Sequence, residues 1–257
     1  MHKPEIKKLY KYREFNEFTL DIIANNRIFF PKPSVFNDPF DCSIKVENNL
    51  DFDEYLNLIE KEGIRNQKTV AEIESKLNEA KTIGKIPQSF LDKLEQGLVG
   101  IHKDNSEIGV VCLSEDCVNI LMWAHYANDH KGICIEFERN KDNALGNYDV
   151  TRPITYQKYY PKFTVLDFGA SEDGSVLEKI IWSKSIDWEY EREWRIATNK
   201  GNVALPIPGK ISAIIFGIRA SNSSIDIIRR LTQGTDIVLK QAEKLEGEFG
   251  LVATKVI

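Results

Sequence analysis

The chain has 257 residues, 42% of them hydrophobic and 28% charged. That is enough apolar material to bury a core, and it excludes a disordered chain, a collagen-like repeat and a small disulfide scaffold. Its 34 basic and 39 acidic side chains give a formal charge of -5, so no bulk attraction draws it to nucleic acid or an anionic membrane.

The first predicted element is a short strand, Leu9 to Arg13, with Tyr10 and Tyr12 on one face and Lys11 and Arg13 on the other. A helix is expected from Glu14 to Asn25, where Phe15, Phe18 and Ile22 recur at helical spacing. Ile28-Phe29-Phe30 reads as a buried strand. The prolines of the following PKPSVFNDPFD remove backbone donors and make it a shaped loop carrying Asn37, Asp38 and Asp41.

Residues 51–105 change character: aromatics thin out and leucine and isoleucine fall at helical spacing among charges. This predicts two or three amphipathic surface helices, read either as a function-neutral insertion or as an arm that binds a partner protein. From Gly109 the pattern turns to strand (GVVCLSE), then a helix capped near Asn119, then the strand KGICIEFE. Further strands are expected at 154–159 and from Ile211 to Ile218, with helices at 171–184 and from Ser221 to Leu231. The C-terminal run reads as a hairpin around Gly247 and Gly250. The sum is an α+β chain with a mixed or antiparallel sheet, organised as one domain over residues 1–257 with a helical insertion at 51–105.

Chemistry concentrates in DWEYEREWR, Asp187 to Arg195. If extended, it puts Glu189, Glu191, Glu193 and Arg195 on one face and Trp188, Tyr190 and Trp194 on the other. Carboxylates this close repel. Where they are shielded from water, one must have a raised pKa or a cationic partner. In MWAHYANDHKG, Trp123, His125 and Tyr126 fit a stacking platform for a planar ligand and fit core packing equally well.

Cys42, Cys112, Cys117 and Cys134 lack CxxC spacing and zinc-site histidines, which predicts reduced thiols in or near a core. No metal is expected. The N-terminus has no apolar h-region, and the longest apolar runs fall far below the roughly 18 residues of a membrane span. A cytoplasmic protein without membrane contact is therefore expected.

The blocks LYKYR, IFFPKPSVFNDPFD, CLSE with LMWAHYANDHKGICIEF, and WEYEREWR together resemble the bacterial domain-of-unknown-function family 2971. Their order is also similar, more distantly, to the layout of diphtheria-toxin-type ADP-ribosyltransferases. That resemblance implies an ADP-ribosyltransferase-like fold that consumes NAD as a transferase or glycohydrolase, in the setting of a toxin or antiphage-defence effector. The acceptor it implies is a protein, a nucleic acid or water.

The resemblance implies Glu193 and Glu191 as the catalytic pair. It sets Tyr10 and Arg13 on the first strand, Ser114 on the serine-bearing strand, and Trp123, His125 or Tyr126 beside the nicotinamide. Arg13 or Arg195 would hold the pyrophosphate. The chain departs from the layout in having no histidine in the first strand and no STS triplet after Leu113. Two other readings stand beside it. One is a non-catalytic nucleotide- or partner-binding sensor module; the other is a Mg²⁺-dependent hydrolase or nuclease using Asp38, Asp41 and the late glutamates.

Overall fold

The computed structural model of the chain describes residues 1–43, 46–47, 50–161, 163–164 and 179–255. The chain divides into two compact units. One comprises Met1–Val35, Ile108–Lys158 and Lys184–Ile257; the other comprises Phe36–Glu107 and Tyr159–Ser183.

The first unit is built on an eight-stranded sheet. Along the chain come β1 (Lys8–Arg13), α1 (Glu17–Asn25) and β2 (Arg27–Phe30). In the second unit follow β3 (Val46–Glu47), α2 (Phe52–Arg65), α3 (Val70–Ile83) and α4 (Gln88–Glu107). The first unit resumes with β4 (Gly109–Ser114), α5 (Ile120–Tyr126), β5 (Ile133–Glu138), β6 (Thr151–Pro153) and β7 (Thr155–Gln157). After β8 (Phe163–Thr164) and β9 (Ser183–Ser185) come β10 (Glu193–Thr198), β11 (Val203–Pro206) and β12 (Ile211–Phe216). The chain closes with α6 (Asn222–Leu231), β13 (Val238–Lys244) and β14 (Leu251–Lys255).

The large sheet has the order β14-β13-β12-β5-β1-β4-β10-β6. Only β12 and β13 run parallel; the other pairings whose registers are known are antiparallel. The architecture is α+β with a mixed sheet, as the sequence predicts. The C-terminal hairpin is β13 paired with β14, and Gly247 takes the left-handed conformation in its turn.

Alternation along the strands splits the buried side chains between two cores. Leu9, Ile133, Ile135, Phe137, Trp194, Ile196, Ile214 and Phe216 join Ile22 and Ile23 of α1 and Ile228 of α6 on one face. Tyr12, Cys134 and Ile215 pack with Met122, Trp123 and Ala127 of α5 on the other. Each such apolar side chain contributes about 1.5–3 kcal/mol by leaving water. A sheet buried on both faces explains why β5 and β12 read as near-continuous apolar runs.

In the second unit, α2 and α3 open with reciprocal caps, Asp51 with Glu54 and Thr69 with Glu72. The two helices meet at Gly63, where an added Cβ would fall 2.6 Å from Ile73 Cγ1. Tyr55 packs on Phe90 of α4 with ring centroids 4.8 Å apart. The helices expected over 51–105 are these three.

Several local expectations change. The helix expected from Glu14 starts at Glu17, because the Asn16 side chain accepts from Thr19 N and caps it there. The strand expected over 154–159 shortens to Thr155–Gln157. Much of the helix expected over 171–184 lies outside the described residues, and Ser183–Ser185 at its end is a strand. The extended reading of 187–195 is also corrected. Ile186–Glu191 is a turn of 3₁₀ helix, Arg192 takes a left-handed φ of 47°, and the strand begins at Glu193. Ser185 Oγ accepts from Asp187 N and Ser114 Oγ donates to the Glu191 carbonyl oxygen, so side chains hold this turn against the strand pattern.

Candidate functional site

Three neighbouring strands set a polar row on the α5 side of the sheet. Tyr10 of β1 stands opposite Ser114 of β4, and Ser114 stands opposite Glu193 of β10. Glu136 of β5 extends the row on the far side of Tyr10. Each buried polar group in it has a partner, as burial requires. Glu136 accepts from Lys8 at 2.6 Å, Ser212 at 2.7 Å and Lys240 at 2.8 Å. Ser114 Oγ donates to the Glu191 carbonyl oxygen at 2.6 Å and accepts from Asp116 N at 3.0 Å.

Glu193 is 2% exposed and held from two sides. Arg195 reaches Oε1 through Nε at 2.6 Å and Oε2 through Nη2 at 3.2 Å, while Lys184 Nζ lies 3.0 Å from Oε2. The Glu193 backbone N–H donates to Tyr156 Oη at 2.7 Å. Burial alone would raise the Glu193 carboxyl, but the Arg195 and Lys184 cations outweigh it and hold the group well below the usual carboxylate range.

Glu191, 3% exposed, closes the cluster. Its Oε2 pairs with Lys184 Nζ, and its Oε1 accepts from Tyr126 Oη at 2.6 Å. Here burial prevails. It raises the Glu191 pKa despite Lys184 and Tyr126, and the neighbouring Glu193 charge pushes the same way. Lys184 loses hydration, yet Glu193 and Glu191 together hold it above the usual lysine range. The repulsion expected between these carboxylates is thus met in both ways: a cation stands between them, and one of the two has a raised pKa.

Beside this cluster a cleft of about 480 Å³ is lined by Lys11, Tyr12, Arg13, Glu14, Ala124, His125, Tyr126, Asn128 and Asp129. One wall turns sharply after α5, where Asn128, Asp129 and His130 all have positive φ. Gly132 then brings the chain against β1; a Cβ there would fall 2.1 Å from the Arg13 carbonyl oxygen. Tyr126 belongs to both places, since its ring lines the cleft and its hydroxyl bonds Glu191.

The residues singled out from sequence therefore separate into groups. Arg13, His125 and Tyr126 line the cleft. Glu191, Glu193 and Arg195 form the buried ion cluster beneath it, and Ser114 ties β4 to the Glu191 backbone. Tyr10 is half-buried among Cys117 and Glu136, and burial raises its phenol pKa. Trp123 is fully buried, donates its indole N–H to the Cys117 carbonyl oxygen at 2.9 Å, and packs edge-on to Tyr12 and parallel to His130. Its rings are occupied by the core, so Tyr126 and the exposed His125 are the aromatic groups the cleft offers.

Two members were missed. Lys184, seven residues before Glu191 and nine before Glu193, was the cation the carboxylate repulsion demanded. Lys11 showed only as one of two charges on the first strand. Among the described residues no group of three histidine, cysteine or acidic side chains is placed to hold a metal ion. Asp38 and Asp41 belong to the second unit. None of the four cysteines is in a disulfide. No helix of the described residues is long and apolar enough to cross a membrane.

No curated protein and no solved structure matches the chain. Residues 122–196 match a family model described as "Protein of unknown function (DUF2971)". The matched stretch begins within α5 and ends within β10, and so contains Tyr126, Lys184, Glu191, Glu193 and Arg195. The segment that builds the ion cluster is the segment similar to the DUF2971 family.

Proposed function

We propose that this chain consumes NAD, as an ADP-ribosyltransferase or an NAD glycohydrolase. The observation that carries the reading is the registered row Tyr10–Ser114–Glu193 across β1, β4 and β10. The groups that the ADP-ribosyltransferase layout calls for in chain order are neighbours in space, next to a cleft with a tyrosine on its wall.

In the reaction the bond between the nicotinamide nitrogen and ribose C1′ breaks, and its electron pair leaves on nicotinamide. The acceptor oxygen or nitrogen bonds C1′ and releases a proton. Glu191 suits the receiving base, because its pKa is raised and Tyr126 Oη connects it to the cleft. Glu193 remains ionised and holds Lys184 and Arg195 in place, which fixes Glu191. The Glu191 carboxylate, linked to the cleft through Tyr126 Oη, is the anion that favours the developing ribosyl cation. The acceptor belongs to the same proposal as protein, nucleic acid or water, and so does a role as a toxin or antiphage-defence effector.

A second reading has its own observation. Glu193 gives both oxygens to Arg195 and Lys184 and is 2% exposed, which suits a rigid nucleotide-binding module without turnover. Nicotinamide release from NAD decides between the two, measured for wild type, Glu191→Gln and Glu193→Gln, alone and with protein extract, DNA or RNA added. Release by the wild type that falls at least a hundredfold in Glu191→Gln supports turnover, and the stimulating addition identifies the acceptor. Absence of release from folded wild-type protein under every addition overturns it in favour of the binding module.

A further inference from the structure

Lys11 and Arg13 sit two residues apart on β1, so both leave the strand on the same side, and both line the cleft. Few of their donors are used. Lys11 Nζ donates to the Cys112 carbonyl oxygen at 2.8 Å, and Arg13 Nε donates to Thr19 Oγ1 at 3.3 Å. Among the described residues no carboxylate stands within ion-pair distance of either. An ammonium has three donors and a guanidinium five, so most of this capacity is aimed at the cleft or at water.

Other inward cations of this unit are treated differently. Lys184 lies between Glu191 and Glu193, Arg195 grips Glu193, and Lys240 meets Glu136. Arg139 spends its guanidinium on the carbonyl oxygens of His2, Lys3, Ile6 and Leu145. Glu191 and Glu193 act on Lys11, and Glu14 on Arg13, only from beyond pairing distance, and two partly desolvated cations with no anion in contact are costly unless a ligand supplies one. Consistent with this, burial lowers the pKa of both Lys11 and Arg13. The acids facing the cleft are Glu14, which accepts from Asn16 Nδ2 at 2.6 Å, and Asp129 on the wall after α5.

We infer that Lys11 and Arg13 form a subsite for the diphosphate of a nucleotide, with His125 and Tyr126 flanking it as the ring-facing wall. A diphosphate carries enough charge and acceptors to bond both cations at once, which a single carboxylate does not, and the guanidinium fork suits phosphate oxygens. The inference deepens the NAD proposal and rests on it for the nucleotide half of the ligand. The cation pair is tested without turnover.

The test is calorimetric titration of the full chain with ADP, ADP-ribose, inorganic pyrophosphate and adenosine. Wild type should bind ADP at least tenfold tighter than adenosine, with an affinity that falls as salt rises. Lys11→Gln and Arg13→Lys should each lose roughly ten- to a hundredfold for ADP, the range of one charge-assisted bond. Lys131→Gln, an exposed charge outside the cleft, should change nothing. Equal affinity for ADP and adenosine, or no binding of any diphosphate, overturns the subsite. So does ADP affinity unchanged in a folded Arg13→Lys; that variant keeps the charge and decides the matter if Lys11→Gln does not fold. Binding of ADP by this pair with no nicotinamide release would sink the NAD chemistry and leave the subsite standing.

Discussion

Tyr126 donates its hydroxyl to Glu191 at 2.6 Å, joining two residues 65 positions apart in the chain. The bond is the direct polar link between the cleft and the buried ion cluster. Tyr126→Phe keeps the ring on the cleft wall and removes the hydroxyl that makes this link. It leaves a buried carboxylate oxygen without its donor, which costs about 1–3 kcal/mol, and thermal denaturation should show that loss. If the NAD reading holds, kcat should fall more than tenfold while KM changes little, and the acid limb of the pH profile should move to higher pH, because the Tyr126 hydroxyl otherwise draws the raised Glu191 pKa down.

Lys184→Met removes the cation between two carboxylates. Breaking a buried ion pair by deleting one partner costs about 3–5 kcal/mol. The double variant Lys184→Met with Glu191→Gln should recover part of that, since one of the stranded charges is then gone. Equal denaturant midpoints for the single and double variants would mean that Glu191 is not charged against Lys184.

The cluster also sets an acid response. Glu193 has a folded-state pKa held below its unfolded value, so its stabilisation is complete above the unfolded carboxylate pKa, roughly 4.3. It is lost as pH falls below that toward the folded value. Glu191 carries the opposite sign: its folded pKa is raised, so its contribution favours the fold at low pH and declines as pH rises through the raised value. Denaturant unfolding followed from pH 7 to pH 3 should therefore lose less stability in Glu193→Gln than in wild type. Glu191→Gln should gain relative stability near neutral pH.

Ser114→Ala tests a tie across the sheet. Ser114 is fully buried and its hydroxyl serves both the Glu191 carbonyl oxygen and Asp116 N. Losing both bonds should cost about 1–3 kcal/mol and loosen the turn that presents Glu191. A lowered melting temperature with diphosphate affinity unchanged is the expected pattern. A large loss of ADP binding would instead put Ser114 in contact with ligand.

Much of this arrangement was legible in the sequence because it follows from alternation. Leu9 against Tyr10 and Trp194 against Glu193 predict which side of each strand meets which core, and the structure separates them that way. The carboxylate-rich DWEYEREWR announced a cluster and its need for a cation. What failed was conformation within that stretch. A helical turn at Ile186–Glu191 and a left-handed Arg192 depend on Ser114, 77 residues distant, and no local pattern carries such a bond. Trp123 stayed open between ligand stacking and core packing for a similar reason. The helix pattern places it beside Tyr126, but Tyr12 and Cys117 decide that it turns into the core.

Among the described residues β1 and β4 share the single registered pair Tyr10–Ser114, whereas β1 shares six with β5 and β10 shares six with β4. The eight strands are therefore two blocks joined along a sparsely laced seam, and beside it the Lys11 ammonium takes up the Cys112 carbonyl oxygen. Amides on the two sides should exchange with solvent as separate cooperative blocks. A ligand that engages Lys11 would draw on the group that helps close this seam, so occupancy of the cleft and the tightness of the sheet are thermodynamically linked.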